Sequence, residues 1–218
     1  MAPRTVVALS RQLGSGGSQV GQQIASRLGF RYADREILRQ AAEALGTNEE
    51  ELAGQEERIC PLWERLLCVF SPAGPDAAYI PPPPGPPSDA RIFTAESEII
   101  RGIADREDCV IVGRGAGYVL RDHPGVVRVL LHAPVEFRIR RVMEVYGVAT
   151  PDEARSMVEQ SDRAREQFRK QMTGADGLRA TNYHLCLDTS SIPLPEVTDL
   201  AVDLVRRMRK AARAESGG

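Results

Sequence analysis

The sequence predicts an α/β fold in which a parallel sheet of five strands is covered by helices on both faces. Short apolar runs rich in β-branched residues alternate with longer segments whose apolar residues recur at helical spacing. A glycine-rich turn follows the first apolar run and leads into a helix, as in many nucleotide-binding folds. Because such alternation produces parallel sheets, we expect ligands at the carboxyl ends of the strands.

The first half of the chain supplies two strand–helix units. The apolar runs at 5–10 and 30–33 are predicted strands. The helix between them, 19–28, has apolar residues at every fourth position and ends before a glycine. Asp34 would cap the next helix, 35–45, which also ends at a glycine.

Between residues 55 and 89 the strand and helix patterns weaken. The run 81–87 consists of six prolines and one glycine, so it fits neither a helix nor a central strand. We interpret the run as a stiff exposed loop. A docking segment for a proline-binding module is the alternative.

The second half of the chain returns to alternation and ends in a tail. We expect residues 214–218 to be disordered, because they are small, polar and terminal. The predicted elements before them are, in order, helix 93–105, strand 109–112, strand 126–132, helix 135–146, helix 151–172, strand 183–187 and helix 195–212.

The composition excludes several classes of protein. The formal net charge of −2 provides no field that would draw the chain to nucleic acid or to a membrane. No apolar run has the length of a membrane span and the first residues lead straight into a strand, so we expect a cytoplasmic protein. Cys109 and Cys186 fall in predicted strands, which predicts buried thiols rather than a disulfide framework or a zinc site.

The glycine-rich turn is a candidate phosphate loop. Compared with the pattern G-x-x-x-x-G-K-[ST], stretch 11–18 has a glycine and a final serine in place, but Arg11 replaces the first glycine and Gly17 the lysine. Backbone N–H groups of such a turn, and the start of the helix after it, attract anions. A flexible turn without a ligand is the alternative. The predicted nucleotide-binding residues are Gly14, Ser15, Gly16, Gly17, Ser18 and Gln19, with the hydroxyls of Ser15 and Ser18 also offered to the ligand.

The missing lysine bears on turnover more than on binding. In phosphate loops the lysine contacts the phosphates between which transfer occurs and stabilises their charge. Arg11 is the nearest cation in the sequence, and its planar fork suits phosphate oxygens. We therefore predict a catalytic role for Arg11. A binding protein that has lost turnover is the alternative.

Four stretches of the chain resemble the cytidylate-kinase-like family. The resemblance implies a three-layer nucleoside monophosphate kinase domain over residues 1–213, with strand order 2-3-1-4-5 and a helical lid region at 138–175. It leaves 54–90 uncovered, which we interpret as an insertion or a variable acceptor-binding region. The matching stretches, in the order of the family, are 10–18 (SRQLGSGGS), 28–38 (LGFRYADREIL), 110–116 (VIVGRGA) and 187–191 (LDTSS).

The resemblance also implies an activity. Members of such a family transfer the γ-phosphoryl group of ATP to CMP or dCMP with Mg²⁺, so small-molecule nucleotides would be the partners, and a homodimer is left open. Ser18 would be the metal ligand. Cytidylate kinases have acidic residues where this sequence has Val112 and Gly115. A kinase for another small acceptor and a nucleotide-binding sensor or pseudo-kinase therefore remain as alternatives.

Further roles follow from the resemblance on the acceptor side. Arg114 matches the arginine that binds the acceptor phosphate, and the glycines on both sides of it favour a side chain that reaches a ligand. Its alternative is a surface cation at a strand end. Asp34 and Arg35 are predicted to bind the acceptor, although a plain helix cap explains Asp34 equally well.

The charged stretch 162–169 resembles the lid of the family. Arg165 and Arg169 are four residues apart, so they share one helix face and would close over the phosphates. Asp162 lies on the same side and is predicted to bind the acceptor. A solvated helix with internal ion pairs is the alternative. Three arginines that head the preceding helix are further candidates for phosphate contact: Arg138, Arg140 and Arg141.

Overall fold

The computed structural model describes residues 3–34, 37, 39–41, 44, 89–173 and 178–215. Within that part, five strands form one sheet in the order β2-β3-β1-β4-β5, and every neighbouring pair is parallel. The predicted fold class and strand order are therefore confirmed. The strands are β1 Val6–Arg11, β2 Arg31–Ala33, β3 Cys109–Val112, β4 Val126–His132 and β5 Leu185–Asp188.

Helices connect the strands. Residues 37, 39–41 and 44 are also helical, whereas Arg35 and the proline-rich run lie outside the described residues. No helix in the described part is long and apolar enough to cross a membrane. The helices are α1 Gly17–Leu28, α2 Asp89–Arg106, α3 Ala116–Val119, α4 Val135–Tyr146, α5 Pro151–Thr173 and α6 Leu194–Glu215, with a 3-10 turn at Ala180–Asn182.

The helices cover both faces of the sheet because side chains alternate along each strand. Val7 and Leu9 of β1 face a core cluster that contains residues of α1 and α6. The intervening Val6 and Ala8 face a second cluster, which contains residues of α2 and α3. The sheet is therefore the middle of three layers.

A third cluster holds α4 and α5 beside the sheet. Leu13, from the turn after β1, packs with Ile139 and Val142 of α4 and with Met157 and Val158 of α5. The two helices are thereby attached to the predicted phosphate loop and not only to each other.

Three features differ from the sequence prediction. α2 begins at Asp89, four residues before the predicted start, and α3 was not predicted because four residues carry no readable periodicity. α6 continues to Glu215, so the first two residues of the predicted disordered tail are helical. The last three residues of the chain lie outside the described part.

One of the two thiols predicted to be buried is exposed. Cys109 lies in β3, inside the sheet, and is fully buried. Cys186 is exposed, and the prediction for it was wrong because β5 is an edge strand. An apolar run read from sequence does not reveal whether its strand lies at the edge of a sheet.

Candidate phosphate-binding site

The turn between β1 and α1 is fixed to the end of β4. The N–H of Gln12 donates to the carbonyl of Leu131 at 3.1 Å. The side-chain oxygen of Gln12 accepts from the N–H of Ala133 at 3.2 Å. These two bonds hold the loop at the carboxyl edge of the sheet, where ligands of parallel sheets bind.

Ser15 stabilises the loop from inside. Its N–H and its hydroxyl both donate to the carbonyl of Gln12, at 3.2 and 2.8 Å, and the residue is fully buried. In this structure the hydroxyl is directed to the backbone of the loop, and its contact with a ligand stays a prediction. The sequence could not show this, because a serine in a glycine-rich turn is equally able to bond its own backbone.

The start of α1 is an open helix N-terminus. Gly16 precedes the helix with φ of 79°, in the left-handed region that glycine adopts without strain. No side chain caps the helix and no acidic residue lies in its first turn. The first N–H groups of a helix have no partner within it and carry partial positive charge, so this end suits an anion.

Close neighbours enclose the glycine turn. A Cβ atom added at Gly16 would lie 2.7 Å from the Leu194 side chain, and one at Gly17 would lie 2.6 Å from Cβ and Cγ of Arg11. At Gly14 it would lie 2.7 Å from the carbonyl oxygen of Arg138. The loop needs glycines because α4, the start of α6 and Arg11 approach its backbone this closely.

Arg11 connects the loop to the end of β3. It is the last residue of β1, in register with Leu131, rather than part of the turn. Its aliphatic stem lies on Gly17 and its guanidinium lies against Gly113, where the absence of a side chain leaves room for it. The charge of Arg11 is thus located between the ends of β1 and β3.

A second arginine lies directly at the start of α1. Nη2 of Arg141, a half-buried residue of α4, donates to the side-chain oxygen of Gln19 at 3.1 Å. The same nitrogen is 3.3 Å from the position of a Cβ atom at Gly16. The sequence predicts Arg141 as one of three candidates in α4 and places it on one helix face with Arg138, but it does not distinguish the two.

The charges of three arginines act on one tyrosine hydroxyl near the loop. Burial raises the pKa of Tyr146, while the guanidiniums of Arg11, Arg165 and Arg141 act in the opposite direction. These charges come from β1, α5 and α4 respectively. The charges of Arg11 and Arg165, two of the arginines predicted to act on the phosphates, therefore both influence this hydroxyl, as does that of Arg141.

Arg138 has a different environment, although it is also in α4. It is 2% exposed, and its Nε donates to the carbonyl of Ala133 at 3.0 Å. Its two terminal nitrogens donate to the carboxylate of Asp162 at 3.0 and 2.7 Å, and one also to the carbonyl of Leu13 at 3.4 Å. Arg138 thus joins the residue that follows β4, the loop and α5. The acceptor-binding role of Asp162 stays a prediction.

Arg114 is held by a buried carboxylate. Its Nη1 lies 2.7 Å from Oε1 of Glu96 in α2, and the side chains are 9% and 2% exposed. The expectation that the side chain extends toward a ligand, or else lies on the surface, did not include this partner, which is distant in sequence. Arg114 has φ of 51° between Gly113 and Gly115, at 79° and 65°. Three consecutive left-handed residues turn the chain sharply at the end of β3.

The same turn is where α5 contacts α2. Phe168 of α5 and Phe93 of α2 form an edge-to-face pair, with ring centroids 5.6 Å apart and an interplanar angle of 81°. A Cβ atom at Gly115 would lie 3.3 Å from Phe93 and 3.6 Å from Phe168. Arg165 and Arg169, one turn apart on α5, are both half-buried. Whether α5 opens and closes as a lid stays a prediction.

Oxygen donors gather at the end of β2. The hydroxyl of Tyr32 donates to Oδ2 of Asp34 at 3.3 Å, and it also shares a hydrogen bond with Ser18. Burial, and then the charge of Asp34, raise the pKa of Tyr32, so its hydroxyl remains protonated. Ser18 and Asp34 are thus brought to one hydroxyl, next to the start of α1.

The turn after β5 completes the carboxyl edge of the sheet. Oδ1 of Asp188 accepts from the N–H of Ser190 at 2.8 Å and from its hydroxyl at 2.7 Å. These hydrogen bonds hold the pKa of Asp188 below its usual value. The turn leads into α6, whose first residue, Leu194, lies against the phosphate loop.

Comparisons with known proteins agree with this architecture. The model of the cytidylate kinase-like family matches residues 6–191. No curated protein matches the sequence. Among solved structures, an uncharacterized protein from Eubacterium ventriosum ATCC 27560 is similar with a TM-score of 0.67 and 19% identity, over 93% of this chain and 99% of that one.

Two kinases share the fold at similarly low sequence identity. A gluconokinase from Sinorhizobium meliloti 1021 has a TM-score of 0.59 and 17% identity, over 99% of both chains. A shikimate kinase from Bacteroides thetaiotaomicron has a TM-score of 0.53 and 14% identity, over 94% of this chain and 98% of that one. At these identities the likeness shows a common fold and leaves the acceptor of this chain undetermined.

Proposed function

The chain belongs to the cytidylate kinase-like family, and on that premise we propose that it transfers the γ-phosphoryl group of ATP to a nucleoside monophosphate, with CMP and dCMP as the first candidates. An oxygen of the acceptor phosphate would form a bond to the γ-phosphorus while the bond to the β-phosphate oxygen breaks. The products are ADP and a nucleoside diphosphate. Such a reaction needs positioning and charge stabilisation rather than a covalent intermediate.

One observation carries the proposal: Arg11 extends from the phosphate loop to the turn that bears Arg114. Its stem lies on Gly17, and its guanidinium lies against Gly113. A cation in this position is adjacent to both a donor half-site at α1 and an acceptor half-site at β3. Phosphoryl transfer requires stabilisation of charge where the two substrates meet.

The donor half-site would use backbone and arginine together. The open start of α1 would hold the phosphates of ATP, in the manner of helix N-termini generally. The hydroxyl of Ser18 and the carboxylate of Asp34 fit the oxygen donors that Mg²⁺ takes, few from protein and several from phosphate. When bound, the ion would neutralise charge on the phosphates.

The acceptor half-site would be centred on Arg114. The ion pair with Glu96 fixes the orientation of its guanidinium, a planar fork of the kind that binds phosphate oxygens. The rings of Phe93 and Phe168 lie beside the same turn and would supply an apolar wall. A planar base beside an aromatic wall is a common mode of nucleotide recognition.

A second candidate is a kinase for a hydroxyl-bearing acceptor. The carboxylate of Asp34 lies near the start of α1, where it would accept the proton of an acceptor hydroxyl but repel an acceptor phosphate. Val112 and Gly115 also replace the acidic residues that flank this arginine in cytidylate kinases. A nucleotide-binding sensor remains the alternative if the arginines do not replace the lysine in turnover.

A panel of acceptors tests these proposals. The full chain is incubated with ATP, Mg²⁺ and, separately, CMP, dCMP, UMP, AMP, GMP, gluconate and shikimate, and products are resolved by anion-exchange chromatography. We expect CDP or dCDP. Phosphorylated gluconate or shikimate would replace the first candidate with the second. Binding of ATP without any phosphorylated product would leave only the sensor.

A paired variant tests the acceptor half-site. Because Arg114→Met alone would leave the buried Glu96 without its arginine, the change is combined with Glu96→Gln. We expect KM for the acceptor to rise by roughly 10-fold or more while the affinity for ATP is unchanged. Arg121→Ala, at a residue whose side chain is 60% exposed, is the matched control. An unchanged KM would remove Arg114 from the acceptor site.

A further inference from the structure

We propose that Arg141 of α4, rather than Arg11, contacts the β- and γ-phosphates of the donor in place of the missing loop lysine. The inference rests on the proposed function and goes further, because it assigns different roles to two arginines. Arg141 would bind the phosphates of the donor, and Arg11 would stabilise the group in transfer. Arg141 is the cation located at the start of α1, where a Cβ atom at Gly16 would lie 3.3 Å from Nη2. A phosphate bound by the first N–H groups of that helix would be next to this guanidinium.

Arg11 is unsuited to the same task because of where its charge lies. It belongs to β1, and its guanidinium lies beyond Gly17, against Gly113 of the β3 turn. That position favours contact with the group in transfer and with the acceptor. Arg11 approaches the helix start at Gly17 with its aliphatic stem, whereas its charged group lies at Gly113.

Arg138 is excluded for a different reason. It faces the loop from the same side of α4, but its guanidinium donates to Ala133, Leu13 and both oxygens of Asp162. At 2% exposure it has no surface to offer a ligand. Arg140, on the other side of the helix, is exposed. Of the three arginines that open α4, Arg141 alone combines partial burial with proximity to the helix start.

Gln19 gives Arg141 a defined orientation. The amide oxygen of Gln19, in the first turn of α1, accepts from Nη2 at 3.1 Å. The bond uses one of the five donors of the guanidinium and leaves the planar fork with further donors. Since an arginine fork bonds two phosphate oxygens at once, it can replace the contacts of a lysine ammonium and add geometric selectivity.

Residues around Arg141 would strengthen its attraction for a phosphate. The guanidinium of Arg141 acts on the hydroxyl of Tyr146 together with those of Arg11 and Arg165. A triphosphate bound near this hydroxyl would be attracted by the charges of all three arginines. Leu194 bounds the loop at Gly16 and excludes water from one side, which strengthens each interaction.

Binding measurements without turnover test the proposal. The full chain and its variants are titrated by calorimetry with ATP and Mg²⁺, and separately with inorganic tripolyphosphate. We expect Arg141→Ala to weaken both ligands by roughly 10- to 100-fold, the loss of one or two charge-assisted hydrogen bonds. Arg140→Ala is the matched control, expected within about 2-fold of wild type. Arg141→Lys should recover part of the ATP affinity.

The outcomes separate this proposal from the proposed function. Equal ATP affinity in Arg141→Ala and wild type would overturn the role of Arg141, whatever the catalytic activity. Loss of tripolyphosphate binding in Arg141→Ala, in a protein that phosphorylates no acceptor, would support the phosphate contact and contradict the kinase. A fall in ATP affinity that Arg140→Ala reproduces would point to helix damage and would also overturn the proposal. Wild type that binds neither ligand would contradict both.

Discussion

Arg138 and Arg141 lie three residues apart on one face of α4, yet they differ in every property that determines a role. Arg138 is buried, and its guanidinium donates hydrogen bonds to the residue after β4, to the loop and to α5. Arg141 is half-buried and donates to the side chain of Gln19 at the edge of the loop. One residue type on one helix therefore serves two purposes.

The difference shows how a loop without lysine is supported. The positive charge that a bound phosphate requires does not need to come from the loop itself. The helix α4 packs on the loop and carries arginines that can supply this charge. Arg138 fixes the distance between α4, α5 and the loop, and Arg141 then lies where its charge reaches the start of α1. In our proposal, the structural arginine thus positions the arginine that contacts phosphate.

The largest expected effect concerns the buried member of the pair. We expect Arg138→Ala to lower the free energy of unfolding by about 2–4 kcal/mol, because the carboxylate of Asp162 and two carbonyls lose their donor. The carboxylate is 34% exposed and regains some water, so the value lies below that of a fully buried pair. Urea unfolding measures it.

The comparison gives the control for this variant. Arg141→Ala and Arg140→Ala should each change stability by less than about 1 kcal/mol, because neither removes a buried pair. Equal losses in Arg138→Ala and Arg141→Ala would show that both residues are structural, and the contrast between them would be lost.

The ion pair of Arg114 is expected to show the next largest effect. Glu96→Gln keeps the shape of the side chain but removes the charge that faces the guanidinium in a nearly buried site. We expect a loss of about 1–3 kcal/mol, the cost of weakening a buried charged hydrogen bond. Glu98→Gln, on the exposed side of α2, is the control. An unchanged midpoint would mean that the pair adds nothing to stability.

The fold class could be predicted from the residue pattern and the strand order from the family resemblance, whereas the partners of the site residues could not be predicted. Apolar runs such as 109–112 and 126–132 predict buried strands because burial on both faces leaves a continuous apolar pattern. The glycine turn predicted a phosphate loop from local chemistry alone. By contrast, the partners of Arg138 and Arg114 come from helices that are distant in sequence, and no local pattern identifies them.

The side-chain partners that the sequence did not reveal have the same physical origin. Ser15 turns its hydroxyl toward Gln12, and Arg114 turns its guanidinium toward Glu96, because each finds a partner that only the folded chain supplies. The spacing of Arg138 and Arg141 correctly predicts a shared face. It does not predict which of them is buried, since that depends on Asp162 in α5.

The smallest expected effect comes from a second ion pair between the same helices. Arg155 of α5 donates to Glu136 of α4 at 2.9 Å, but the side chains are 43% and 67% exposed. We expect Arg155→Ala to cost less than about 0.5 kcal/mol, and the cost to vanish in 1 M salt. Thermal unfolding at two salt concentrations measures it. A loss as large as that of Arg138→Ala would show that burial does not distinguish the two pairs.

The most direct test of the central claim, that arginines replace the loop lysine in turnover, is a single-turnover reaction. Enzyme in excess over γ-³²P-labelled ATP is mixed with Mg²⁺ and saturating CMP, and label in CDP is followed over time. We predict that label appears in CDP, and that Arg11→Ala lowers the rate far more than it lowers ATP binding, because its charge lies between the two half-sites. Label that remains in bound ATP, in a protein that binds both nucleotides, would contradict the account.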